Sequence, residues 1–268
     1  MINVKDKIAV ITGGMGQLGV IYSVALVEHG ARVAILDLAS VPKIADERFA
    51  LYLEEGSIKP YVVDITNRAE VDSVSQKIKN DFGVADILIN NAALDSPPDS
   101  PASEVGPFET YPELSYNKVM DVNVKGTLFC CQVFGKDMAD KGCGSIINIS
   151  SIYGILSPCQ DLYDFRRSAG EEFFKPVAYS VSKSAILNLT RYLATYWAKS
   201  GVRVNTLTLA GVFNDQPKEF LDAYLSRMPI GRMADAEEFI GPVILLASDA
   251  SSYMTGSNLV VDGGWSAW

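Results

Sequence analysis

Short, largely apolar runs recur along this chain between longer stretches of helical periodicity, and that alternation limits the fold more than any other feature. IAVIT (8–12), VAILD (33–37) and SIINIS (145–150) offer no continuous polar face, so each needs cover on both sides. A strand with one wet face would alternate apolar and polar residues instead. Strands are predicted at Ile8–Thr12, Arg32–Asp37, Lys59–Asp64, Ile87–Asn90, Ser145–Ser150, Arg203–Thr208 and Asn258–Asp262. Helical patterns cover Leu18–His29, Arg68–Phe82, Leu114–Lys141, Pro176–Ser200 and Ala236–Ser248. Strand–helix alternation with right-handed crossovers gives an α/β fold: a doubly wound parallel sheet of about seven strands with helices on both faces. In such a sheet ligands bind in the crevice beyond the carboxyl ends of the strands.

Residues 1–268 read as one domain, because no Pro-, Gly- or Ser-rich linker divides these runs. Two connections, 94–111 (LDSPPDSPASEVGPFETY) and 152–175, are too long for plain turns, and both follow strand carboxyl ends. They are read as lids or substrate walls over the crevice, the alternative being solvated surface loops. The net charge of -9 leaves no basic face for nucleic acid. No run approaches the ~18 apolar residues of a membrane span, and Met1–Lys7 lacks the shape of a secretion signal. Cys130, Cys131, Cys143 and Cys159 form no CxxC pair, and His29 is the single histidine. His-containing zinc sites and Ser-His-Asp chemistry therefore have almost nothing to draw on, and reduced thiols in the cytoplasm are expected. His29, in VEHGAR, is expected at a helix end in a structural role.

The first strand runs into Thr12-Gly13-Gly14-Met15-Gly16-Gln17-Leu18-Gly19, which opens the first helix. Glycines let the backbone approach a pyrophosphate, and free N–H groups at a helix start bind its charge. The pattern is Rossmann-like. Asp37, at the end of the second strand about twenty residues on, suits the adenosine ribose hydroxyls and repels a 2′-phosphate. Leu36, Leu38 and Ala39 flank it with no basic residue, so NAD is expected rather than NADP; the bland alternative for Asp37 is a helix cap. Asp64 and Ile65 either meet the adenine or, in the case of Asp64, cap the next helix. Asn90, Asn91, Ala92 and Ala93 close the fourth strand, small residues leaving room for a ribose and the asparagines pinning the strand end.

Tyr179 and Lys183 lie one helical turn apart on one face, and Ser151 ends the strand SIINISS at the mouth of the crevice. Hydride transfer to a carbonyl needs a proton donor, and the reverse reaction needs a base. A phenol near its ordinary value of about 10 is a poor base at neutral pH. A neighbouring ammonium and a cationic nicotinamide both favour the phenolate, while a serine hydroxyl steadies the charge developing on the substrate oxygen.

With TGGMGQLG, Asp37, NNAA, DVNVKG, SIINISS, YSVSK, RVNTL and TGSNLVVDGG in order, the chain resembles the short-chain dehydrogenase/reductase family over essentially its whole length. The resemblance implies an NAD(H)-dependent oxidoreductase interconverting a secondary alcohol and a ketone. It implies that Lys183 also binds the nicotinamide ribose, that Asn123 holds a water in a relay to Lys183, that Val212 meets the carboxamide, and that Gly211 beside it is among the cofactor-binding residues. It also favours Ser151 over Ser150, and it implies a homo-oligomer, a tetramer in which the helices beginning near Leu114 and Pro176 pair between subunits. The tryptophans of the tail, Trp265 and Trp268, point the same way.

Three positions depart from the family pattern. Gln17 stands where it has glycine, so its side chain either contacts phosphate or displaces the turn. Ala210 replaces the usual proline, and Asp215 the usual threonine, in a segment that closes over the nicotinamide. The insertions resemble those of bacterial sugar-type members, and a sugar, polyol or sugar acid is the expected substrate. Tyr153, Ile155, Leu156, Phe165, Phe173 and Phe174 keep a hydrophobic carbonyl substrate open. A catalytically silent dinucleotide sensor is the rival from another class, and it would have lost Tyr179 or Lys183. Asp37 speaks against a reductase of carrier-bound acyl chains, and the short tail after Asp262 against a nucleotide-sugar epimerase.

Overall fold

The computed structural model describes residues 2–95 and 102–268. Its centre is one parallel sheet of β1 (Ile8–Thr12), β2 (Arg32–Asp37), β3 (Ile58–Val62), β4 (Ile87–Asn90), β5 (Gly144–Ser151), β6 (Val202–Leu209) and β7 (Asn258–Val261). The spatial order is β3-β2-β1-β4-β5-β6-β7, so the chain changes direction of winding between β1 and β4. That switch opens the crevice at the strands' carboxyl ends.

The alternation along each strand explains the layers. Ala9 and Ile11 of β1 enter a core with Val20, Tyr22 and Leu26 of α1 (Gln17–Glu28), Phe49 of α2 (Glu47–Glu54), and the C-terminal apolar helix described below. Ile8 and Val10 enter the opposite core, with Val71, Val74 and Ile78 of α3 (Arg68–Asp81). Further along come α4 (Ala102–Val105), α5 (Glu113–Met120) and α6 (Thr127–Lys141), followed by α7 (Ile152–Ile155), α8 (Asp164–Ser168) and α9 (Val177–Trp197). The last are α10 (Lys218–Leu225) and α11 (Ile240–Ala247). α6 and α9 share the α3 face, and α11 completes the α1 face.

A buried polar chain locks β4, β5, β6 and α9 in register. Asn90 Nδ2 donates to Asn148 Oδ1 (2.8 Å), Asn148 Nδ2 to Thr190 Oγ1 (2.9 Å), and Thr206 Oγ1 to Thr190 Oγ1 (2.8 Å). Each link left unmade in this dry setting would cost about 1–3 kcal/mol.

Several expectations need correction. β3 ends at Val62, not Asp64, because the Asp64 N–H goes to Glu70 (2.9 Å) and Asp64 Oδ1 turns the chain through the Thr66 amide and hydroxyl, both 2.8 Å. β7 ends at Val261, since Asp262 accepts from the amides of Gly264 (3.0 Å) and Ser266 (2.9 Å). The helix expected over Leu114–Lys141 is broken by a π-helical segment, Asp121–Gly126, between α5 and α6. α2 and α10 were not expected. Residues 152–175 are not a structureless loop: α7, a 3₁₀ turn and α8 bury Ile152, Leu162, Tyr163 and Phe173 in a third core. Of the other insertion, 96–101 lie outside the described residues. His29 is the C-cap of α1, its Nδ1 2.7 Å from Ala25 O. Trp265 is buried inside its own chain, stacked on Tyr224 at 4.5 Å, so it is no evidence for a subunit contact; Trp268 is exposed.

Candidate active site

The loop after β1 is shaped by two glycines. Gly13 has φ +65°, and a Cβ there would stand 2.8 Å from Ala92 Cα; one on Gly19 would stand 2.3 Å from Gly13 O. Thr12 Oγ1 accepts from the amides of Asn91 and Ala92, both at 3.0 Å, while Asn91 Nδ2 donates to Thr12 O (3.2 Å) and Gly13 O (3.1 Å). Asn91 thus ties the end of β4 to the glycine loop. No side chain caps the N-terminus of α1, where Gly16 is the N-cap, so its first-turn amides face the crevice mouth as an anion site. Asp37 is not a helix cap. Its two oxygens accept from Met15 N and Ala39 N, each at 2.9 Å, and hold a carboxylate at the rim of the loop. These features fit a dinucleotide: a pyrophosphate cradle no side chain could enter, with a carboxylate placed for the ribose.

Gln17 does not reach into the cradle. Its amide donates to Phe213 O (3.3 Å), tying the loop to the segment after β6. In that segment Gly211 N donates to Tyr224 Oη (2.9 Å), Val212 bridges Ala234, and Asp215 adopts a left-handed φ of +52°.

Ser151, Tyr179, Lys183, Leu18, Asn91, Gly211 and Val212 line one cavity of about 740 Å³. β5 delivers Ser151, whose hydroxyl accepts from Tyr153 N (3.2 Å) and hydrogen-bonds the Tyr179 phenol. Ser150 spends its hydroxyl on Lys183 O (3.0 Å) inside the fold. α9 delivers Tyr179 and Lys183, with the Lys183 ammonium 5.7 Å from the Tyr179 ring centre and donating to Ile149 O (2.9 Å).

Burial sets both ionisations. It pushes the Tyr179 phenol well above its ordinary value, Asp95 pushes it further, and the Ser151 hydrogen bond opposes them. Lys183 is brought down to about 8 by burial, against the pull of Asp95. Burial, not Lys183, sets the direction of the Tyr179 shift.

The remaining residues lie off this cavity. Gly13, Gly19 and Asp37 form the cradle, and Ala92 packs beneath Gly13. Asp64 makes the turn before α3, whose cap is Asn67 rather than Asp64, and Ile65 packs against Gly126 of the π-helical segment. Asn123, in that segment, is buried behind the wall. Its Nδ2 donates to Leu94 O (3.0 Å) and Ser182 Oγ (2.9 Å), and its Oδ1 accepts from Leu94 N (2.7 Å).

Segment 152–175, Asp95 and residues 220–233 complete the cavity. Tyr153, Tyr163, Phe173, Phe220, Tyr224 and Met233 form its apolar wall, and Asp95, Arg166, Glu171 and Lys175 its polar groups. Lys175 pairs with Asp95 (2.5 Å), and Arg166 with Glu171 (2.5 Å). Asp95 and the Tyr224–Met233 wall were not singled out in the sequence; position after β4 was the only signal for Asp95.

A nucleotide cradle opening onto a Ser, Tyr and Lys cluster defines a dinucleotide-dependent oxidoreductase. Comparison with known proteins agrees: a family profile described as enoyl-(acyl carrier protein) reductase matches residues 18–266. The D-arabinitol 2-dehydrogenase (ribulose-forming) of Scheffersomyces stipitis is 33% identical, across 98% of this chain and 94% of that one. The galactitol 2-dehydrogenase of Rhizobium johnstonii is 31% identical across 97% and 95%. A crystal structure of a short-chain dehydrogenase from Leptospira borgpetersenii with bound NAD+ superimposes with TM-score 0.85 and 32% identity, covering 98% of this chain and 94% of that one. The chain belongs to the short-chain dehydrogenase/reductase family.

Proposed function

We propose that the protein interconverts a secondary alcohol of a polyol and the corresponding ketone with NAD(H), using Tyr179, Ser151 and Lys183. The observation that carries the reading is the convergence of those three side chains on one cavity beside Gly211 and Val212. In oxidation the Tyr179 oxygen takes the carbinol proton as the hydride leaves the carbinol carbon; in ketone reduction the phenol returns it. Ser151 donates to the substrate oxygen, and Lys183 orients the nicotinamide ribose and favours the phenolate. Asn123 positions: it holds Leu94, next to Asp95, and Ser182, next to Lys183. When bound, the oxidised dinucleotide supplies the hydride acceptor and a positive charge that offsets the raised phenol.

Gly13, Gly19 and the amides of Gln17 and Leu18 would hold the pyrophosphate, Asp37 the adenosine ribose, Asp64 and Ile65 the adenine side, and Asn91 and Ala92 the inner ribose. Asp37 favours NAD, although the Lys43 backbone, donating to Met15 O at 2.7 Å, brings one basic residue to the same rim. The relatives named for arabinitol and galactitol support a polyol. So do Arg166 and Lys175 in the cavity wall: each already faces a carboxylate, so a neutral hydroxyl fits there where a sugar acid would have to displace one. The aromatic wall favours a second reading, a hydrophobic secondary alcohol. We infer that the chain acts as one domain, with Asp95 and segment 152–175 walling the site. The free cysteines, two of them buried, suit the cytoplasm, and among the described residues no helix is long and apolar enough to cross a membrane.

The test is reduced-nicotinamide formation from NAD and from NADP across alditols, aldonates and hydrophobic alcohols. Turnover of alditols with NAD is expected. Turnover confined to hydrophobic alcohols would sink the polyol reading, and a preference for NADP would sink the role of Asp37.

A further inference from the structure

Lys175 is a costly residue to place where it stands. Its side chain is 8% exposed, and a buried ammonium is tolerated only when paired and hydrogen-bonded. Among the described residues the ammonium makes one ion pair, to Asp95 at 2.5 Å, and lies 5.2 Å from the Tyr179 ring centre. An ammonium has three donors, the carboxylate contact uses one of them, and Lys175 lines the cavity that holds Tyr179.

The placement is also rigid. Gln160 grips the Lys175 backbone from both sides: the Lys175 N–H donates to Gln160 Oε1 (2.8 Å), and Gln160 Nε2 donates to Lys175 O (3.2 Å). Pro176 follows as the N-cap of α9, so Lys175 is locked to the helix that carries Tyr179. A salt bridge serving only to tie the two insertions together would not need this, because Phe174 N already donates to Val105 O (2.6 Å). Pre-organisation of a donor beside the reacting group is what a binding site requires.

We propose that Lys175 and Asp95 determine substrate specificity by holding the hydroxyl on the carbon next to the one oxidised. Lys175 donates to that oxygen, and the Asp95 carboxylate accepts its proton in a hydrogen bond. A diol satisfies both groups, whereas a monohydric alcohol leaves the buried ammonium short of a partner. This inference rests on the alcohol-oxidising role of Tyr179 given above.

Butane-2,3-diol and butan-2-ol differ by that one hydroxyl and make the decisive pair. With NAD, the wild type is expected to prefer the diol in kcat/KM. In Lys175→Met that preference falls roughly 10- to 100-fold, mainly through the KM for the diol, and Lys175→Arg recovers part of it. Thermal melting of each variant reports folding separately, and the ratio between the two alcohols is insensitive to the amount of folded enzyme. An equal loss on both alcohols would make Lys175 merely structural and overturn the inference while leaving the role of Tyr179 intact. No oxidation of any alcohol by the wild type would instead remove the functional reading, and the inference with it.

Discussion

Three charged groups surround one phenol, and their balance sets how the site responds to pH. Lys183 and Lys175 lie 5.7 and 5.2 Å from the Tyr179 ring centre, and Asp95 is paired to Lys175. The carboxylate disfavours the phenolate and favours the Lys183 ammonium, so it raises both groups, against the burial that lowers Lys183 to about 8. Removing that charge lowers both. Alcohol oxidation needs the deprotonated phenol, so its rate climbs on the alkaline side, with an apparent value belonging to the coupled groups. In Asp95→Asn that climb is expected at lower pH than in the wild type, read from kcat/KM against pH. A climb displaced upward, or one that does not move, would contradict the electrostatic account. Tyr179, Lys183 and Ser151 were legible in the sequence because a strand end and one helical turn are local patterns. Asp95 and Lys175 were not, because their pairing spans 80 positions and depends on two irregular segments meeting. Gln17 was legible as a departure, but its partner Phe213 lies 196 positions away.

At the scale of elements, the strands buried on both faces declared themselves as apolar runs. β3 was the weakest of them, with Lys59 and Pro60 exposed at the sheet's edge, and there the limits slipped. α2 buries only Phe49, too little for a periodic signal, though Asp46, which caps it through Arg48 N and Phe49 N, was a readable start. The π-helical segment has no sequence signature distinct from α-helix, so α5 and α6 read as one helix. The same helices bear on assembly. Leu114 on α5 is 84% exposed, and Tyr192 and Tyr196 on α9 are 63% and 66% exposed and stacked on one another. Apolar and aromatic surface of this kind suits a contact between subunits, and we propose that α5 and α9 pair in a homotetramer. Light scattering is expected to give a tetramer for the wild type and smaller species for Leu114→Glu combined with Tyr196→Glu. A monomeric wild type would refute the pairing.

Over the whole molecule, one winding reversal between β1 and β4 does most of the functional positioning. It brings the glycine loop, the end of β4 and the Ser151 end of β5 to one edge, and two insertions with their own small core then wall the site. The scaffold follows from the order of apolar runs, while substrate choice follows from how the walls pack. We propose that Tyr179 transfers the proton in a dinucleotide-dependent oxidation. The most direct measurement compares wild type and Tyr179→Phe for NADH binding, by fluorescence, and for single-turnover oxidation of an alditol. NADH is expected to bind the variant with comparable affinity while oxidation slows by roughly 100- to 10,000-fold. Oxidation at the wild-type rate in Tyr179→Phe would contradict that proposal.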